Sequence, residues 1–165
     1  MRKVIHLFVL SLVVLLVVAC QPPQDVEREI AALKEGETGY VEAFQNEDVD
    51  AIMETYWNSP DLIRYTVATM EVRGYDTVQQ RYAQFFEGGD VKSFEILDSQ
   101  YKVSGDLAVG WSRWKLTYQP TDGPEWQREG RWTGMFTKQG GKWYITVDHA
   151  SAPLTAPSPM AIEAE

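Results

Sequence analysis

After Asp90 the chain runs through four stretches, KSFEILDSQYKV, LAVGWSRWKLTY, EWQREGRWTGMF and GKWYITVDHAS, separated by SGD, QPTDGP and KQGG. Each stretch is rich in β-branched and aromatic residues, and the separators are turn signals of the kind that close hairpins. Strands joined this way pair with their chain neighbours, so this part of the sequence predicts a four-strand antiparallel meander. Such a sheet buries one face only, and that face needs a cover. Trp111, Trp114, Trp126, Trp132 and Trp143, five of the six tryptophans, lie here and bring large burial per residue.

The cover comes from upstream. Between Asp25 and Phe44, apolar residues Val26, Ile30, Leu33, Tyr40, Val41 and Phe44 recur near helical spacing, which predicts one long amphipathic helix. Gly36 and Gly39 interrupt it, so either the helix is weak there or something packs closely on its backbone. Asp48 reads as the N-cap of a second helix with Val49, Ile52, Met53 and Tyr56 on its buried stripe, stopped by NSP. DLIRYTVATMEVRG reads as two small strands or a hairpin, and a third helix over about Asp76 to Phe86 buries Val78, Tyr82 and Phe85. Helices first and a meander last give an α+β domain, with three N-terminal helices packed on a mainly antiparallel sheet.

The N-terminus is of another kind. Arg2 and Lys3 precede an apolar run from Val4 to Ala19, the layout of a secretory signal and too short to span a bilayer. It ends in VVAC, which resembles the bacterial lipobox. That resemblance implies removal of residues 1–19 and acylation of Cys20, with palmitate-type chains holding the protein to a membrane of the cell envelope. Gln21 in place of Asp implies the outer membrane, facing the periplasm, if the bacterium is Gram-negative. Cys20 is the single cysteine, so the domain has neither disulfide nor thiol chemistry. Residues 20–24 read as the lipidated cysteine and an extended tether, residues 25–153 as one domain, and the proline- and alanine-containing stretch from residue 154 as a disordered tail. With Arg2 and Lys3 set aside, the 15 basic side chains fall to 13 against 24 acidic ones, so nucleic acid is not an expected partner.

This order of elements, with GRWTGMFTKQGGKWYITVDHASAP, the first helix carrying Tyr40 and Ala43, NEDVDAI leading into the second, and Gly74 before the third, resembles the SnoaL-like branch of the nuclear transport factor 2-like superfamily. The resemblance implies a cone-shaped domain, a curved sheet wrapped around helices with an apolar pocket at the open end, and homodimers through the outer sheet face. It does not fix chemistry, because the superfamily contains isomerases, dehydratases, cyclases, ligand binders and assembly modules. The residue sets of ketosteroid isomerase and scytalone dehydratase do not align onto this chain.

Asp148, His149 and Ser151 are the residue types of a hydrolytic triad. Strand alternation puts Trp143, Ile145, Val147, His149 and Ser151 on one face and Tyr144, Thr146 and Asp148 on the other. Residues two apart lie about 6.5 to 7 Å apart along a strand, beyond the roughly 2.6 to 3.2 Å of a nucleophile and its base, so no local triad is expected. The alternation turns Asp148 outward and His149 inward, as a core anchor or as a pocket residue able to exchange protons near neutral pH. Other pocket candidates are Tyr40, Tyr56 and Tyr82 on the helical stripes, Glu37 between Leu33 and Tyr40, and at least one of Trp111 and Trp132. One histidine and no cysteine in the domain predict no metal site, and no cofactor is expected. Two readings follow: an anchored protein that binds a small apolar ligand or a protein partner, and an isomerase- or dehydratase-type enzyme using His149 in acid–base catalysis.

Overall fold

The computed structural model describes residues 25–153; the stretches expected to be a signal segment, a lipidated Cys20 with its tether, and a tail lie outside them. Helix α1 spans Val26–Gln45, with Asp25 capping it by accepting from the Arg28 amide at 3.1 Å. It runs unbroken through Gly36 and Gly39, and a Cβ at either glycine would meet nothing within 4 Å, so no close packing accounts for them. Helix α2 is the short Val49–Met53, capped by Asp48 through the Ala51 amide at 3.0 Å. Strands β1 (Ile63–Tyr65) and β2 (Val72–Arg73) form a small antiparallel pair. Gly74, at φ 85°, turns the chain into helix α3, Tyr75–Glu87, a conformation that an L side chain rarely adopts. The meander follows as β3 (Gly89–Ser104), β4 (Leu107–Pro120), β5 (Trp126–Gln139) and β6 (Lys142–Ser151).

These strands make one curved sheet in the order β2-β1-β6-β5-β4-β3, antiparallel except where β1 runs parallel to β6. The helices lie on its concave face, as the hydrophobic pattern predicts. Phe44 is the hub of their packing, with its ring centroid 4.3 Å from Phe94 and 5.3 Å from Phe86. The start of α1 is fastened to the β5–β6 hairpin by Glu29. This buried carboxylate accepts from Lys138 Nζ at 2.6 Å and from Trp143 Nε1 at 2.9 Å.

Three bulges interrupt the ladders, the first leaving Lys92 extra between Val91, which pairs with Tyr118, and Ser93, which pairs with Thr117. Between β3 and β4, Leu97 pairs with Arg113 and Gln100 with Trp111, so Asp98, at φ 55°, and Ser99 together oppose Ser112. Between β5 and β6, Met135 pairs with Val147 but Phe136 with Ile145, which leaves Thr146 as the extra residue. A bulge bends a strand and shifts its alternation by one. Trp143 and Ile145 therefore point inward before it, and Asp148 points inward after it. The expectation from uninterrupted alternation is thus reversed: Asp148 is 2 % exposed, and His149 faces solvent, its ring edge-on to Tyr65 at 6.0 Å.

Candidate functional site

Helices and sheet enclose a cavity of about 690 Å3, walled by such residues as Leu33, Phe44, Phe94, Ile96, Leu116 and Phe136. That volume lies within the range typical of small-molecule sites. The cavity's polar chemistry is concentrated where β1 meets β6. The parallel register sets Arg64 beside Asp148, and Arg64 Nε donates to Asp148 Oδ2 at 2.9 Å. Tyr56, just past α2, donates to the same oxygen at 2.6 Å, and Trp132 Nε1 donates to Asp148 Oδ1 at 2.5 Å.

The hydroxyls of Tyr40 and Tyr56 each lie 2.8 Å from that of Tyr82. A phenol has one proton, which fixes the direction of the chain. Tyr56 gives its proton to the carboxylate, so Tyr82 donates to Tyr56 and Tyr40 donates to Tyr82. Burial pushes all three phenols upward from their ordinary value, and at Tyr56 the Asp148 charge adds to it. They are neutral donors at physiological pH. The Arg64 guanidinium lies over the Tyr82 ring, 4.1 Å from its centroid, in cation–π contact.

At another part of the wall, Tyr101 donates to Glu37 Oε2 at 2.8 Å, and burial followed by the Glu37 charge holds that phenol well above its usual range. Glu37 is therefore a cavity-lining carboxylate, as its place on the α1 stripe suggests. Tyr40, Tyr56, Tyr82 and Trp132 also line the cavity, and all four meet in one network that ends on Asp148.

The remaining two candidates lie elsewhere. His149 is on the outer face because of the Thr146 bulge. Trp111 is outward too, because β4 buries Ala108, Gly110, Ser112, Trp114, Leu116 and Tyr118, the opposite parity. Its indole sits under Lys102, with Nζ 6.0 Å from the ring. Sequence reasoning missed Arg64, Ser112 and the inward Asp148. Arg64 sits in a three-residue strand whose parallel partner is distant in sequence, and no local periodicity marks it.

A sequence model of the SnoaL-like domain matches residues 36–155. The chain belongs to the SnoaL-like domain family. SnoaL-like architecture is echoed by solved structures, at identities that speak for the fold alone. An NTF-2 like protein of unknown function from Shewanella oneidensis is 24% identical with a TM-score of 0.60, over 74% of this chain and 98% of its own. A ketosteroid isomerase-like protein from Erwinia carotovora is 21% identical with a TM-score of 0.66, over 78% and 98%. A putative scytalone dehydratase from Novosphingobium aromaticivorans is 13% identical with a TM-score of 0.69, over 76% and 85%. No curated protein matches the chain. Among the described residues of this SnoaL-like domain, no helix is long and apolar enough to cross a membrane.

Proposed function

We propose that this SnoaL-like domain is the soluble part of an envelope lipoprotein, anchored through Cys20, and that it binds a small, largely apolar ligand in its cavity without transforming it. The observation that carries this reading is that a cavity of about 690 Å3 with apolar walls has its one buried carboxylate fully engaged. Asp148 accepts from Tyr56, Arg64 and Trp132, so it orders the cavity's donors and is not poised to take a proton.

The rival is an isomerase or dehydratase. In its favour are fold neighbours bearing those names and the hydroxyl chain that ends on Asp148. The form of it that relies on His149 fails on geometry, because that imidazole is on the convex side.

A thermal-stability screen of the purified protein against small apolar compounds tests the binding reading. Hits are expected, they should persist in His149→Ala, and they should weaken in Trp132→Phe. An empty screen over a broad library would sink ligand binding in favour of a protein partner or assembly through the outer sheet face. Turnover of any hit that stops in Asp148→Asn would establish the rival. Radiolabelled palmitate tests the anchor separately: label should enter the wild-type chain in a bacterial host and be absent from Cys20→Ser.

A further inference from the structure

We propose that the cavity's ligand is a carboxylic acid on a flat apolar body: its carboxylate sits on the terminal nitrogens of Arg64, its body lies along Trp132, and a hydrogen-bonding group reaches Ser112. This rests on the binding reading above and names the class of ligand.

The first support is the state of Arg64. Its side chain is 16% exposed, its Nε is spent on Asp148, and Nη1 and Nη2 have no hydrogen-bond partner among the described residues. A guanidinium carries five donors in a planar fork that matches the two oxygens of a carboxylate. The bond to Asp148 and the Tyr82 ring fix the plane of that fork, so the unspent side is already oriented toward a partner in the cavity.

The second support is independent. Ser112 Oγ is the buried side-chain polar atom without a partner among the described residues, and Ser112 lines the cavity. An unsatisfied buried hydroxyl is costly unless a ligand or water completes it. The register places Ser112 opposite Trp132, whose indole packs on Gly134 and reaches Asp148. Across the concave face, Ser112, Trp132, Asp148 and Arg64 therefore succeed one another on β4, β5, β6 and β1. The two uncommitted groups lie at either end of this row, with an aromatic surface between them.

The cavity's phenols are already taken. Tyr40, Tyr56 and Tyr82 pass their protons along the chain to Asp148, and Tyr101 gives its proton to Glu37. The charged lining residues are Arg64, Arg81, Arg128 and Lys142 against Glu37 and Asp148, a cationic excess in a chain of net charge −9. A local field of that sign draws in an anion.

The test is calorimetric titration at neutral pH with 2-naphthoate and decanoate, each against its neutral alcohol, 2-naphthalenemethanol and 1-decanol. At least one acid should bind tenfold or more tightly than its alcohol, and the preference should vanish in the charge-free double variant Arg64→Gln/Asp148→Asn. That variant is used because Arg64→Gln alone would strand a buried carboxylate. A 6-hydroxyl on the naphthoate should raise affinity in the wild type and not in Ser112→Ala. Acids and alcohols binding equally would overturn the carboxylate assignment while leaving cavity binding intact. Binding of none of the four would overturn both.

Discussion

Arg64 and Asp148 meet at 2.9 Å between two strands that run parallel, and both side chains are largely shielded from water. The worth of such a pair differs sharply from the cost of breaking it. Asp148→Ala leaves a buried guanidinium unpaired and should lower stability to urea by about 3 to 5 kcal/mol. The double variant Arg64→Met/Asp148→Asn should lose less than the sum of the single changes, with a coupling of about 0.5 to 3 kcal/mol. Additive single-variant losses in urea melts would mean that the two groups do not sense each other.

Tyr82 is the middle of the hydroxyl chain and is 1% exposed. Tyr82→Phe removes the acceptor for Tyr40 and the donor to Tyr56, and should cost about 1 to 3 kcal/mol. Tyr40→Phe, at the end of the chain, should cost less. Denaturant midpoints with an unchanged slope would measure this ordering, and the reverse ordering would contradict the central place of Tyr82 in the chain.

Two glycines should respond in opposite directions to alanine. At Gly39 a Cβ meets nothing within 4 Å, so Gly39→Ala should stabilise α1 by up to about 1 kcal/mol. At Gly134 the added carbon would collide with the Trp132 ring. Gly134→Ala should therefore destabilise by about 1 to 3 kcal/mol and loosen the indole from Asp148. Melting temperature and tryptophan fluorescence, read together, distinguish a displaced indole from a general loss of packing.

Glu29 predicts a pH dependence. The Lys138 hydrogen bond and, after the opposing effect of burial, the Trp143 hydrogen bond hold its carboxyl below the usual value. A group with a depressed pKa in the fold contributes stability above its unfolded pKa and loses it as pH falls through the folded one. The stability gap between wild type and Glu29→Gln should thus be full at neutral pH and close in the acid range below the ordinary carboxylate pKa. A gap unchanged between pH 7 and pH 3 in urea melts would rule out the linkage.

Much of this domain is legible in its sequence because the signals are local. Asp48 caps the helix expected of it, the turn signals close the meander, and helical spacing puts Tyr40 and Tyr82 on buried faces. Tyr56, placed on the same stripe as α2, lies just beyond the helix yet is still buried. What was illegible depends on pairing between distant strands. Alternation along LAVGWSRWKLTY groups its residues into two sets but does not say which set faces the helices, so Trp111 came out on the wrong side. In ITVDHAS, Thr146 is β-branched and reads as ordinary strand, and only its mismatch with β5 reveals it as an extra residue. Arg64 gains its meaning from β6, which lies far along the chain.

The Thr146 bulge has a consequence for how pockets of this kind diverge. Deleting that one residue would leave Asp148 inward, because Ile145, Val147 and Asp148 would then alternate simply; pairing the strand at its full length without a bulge would instead bring an imidazole to the concave side and send the carboxylate out. The chemistry facing a ligand is therefore governed by whether β6 is bulged against β5 as much as by the identity of its residues. Loss of the bulge from a β6 of unchanged length would exchange a carboxylate for an imidazole without any substitution in that strand, and bulged and unbulged sequences compared column by column would pair residues that face opposite sides.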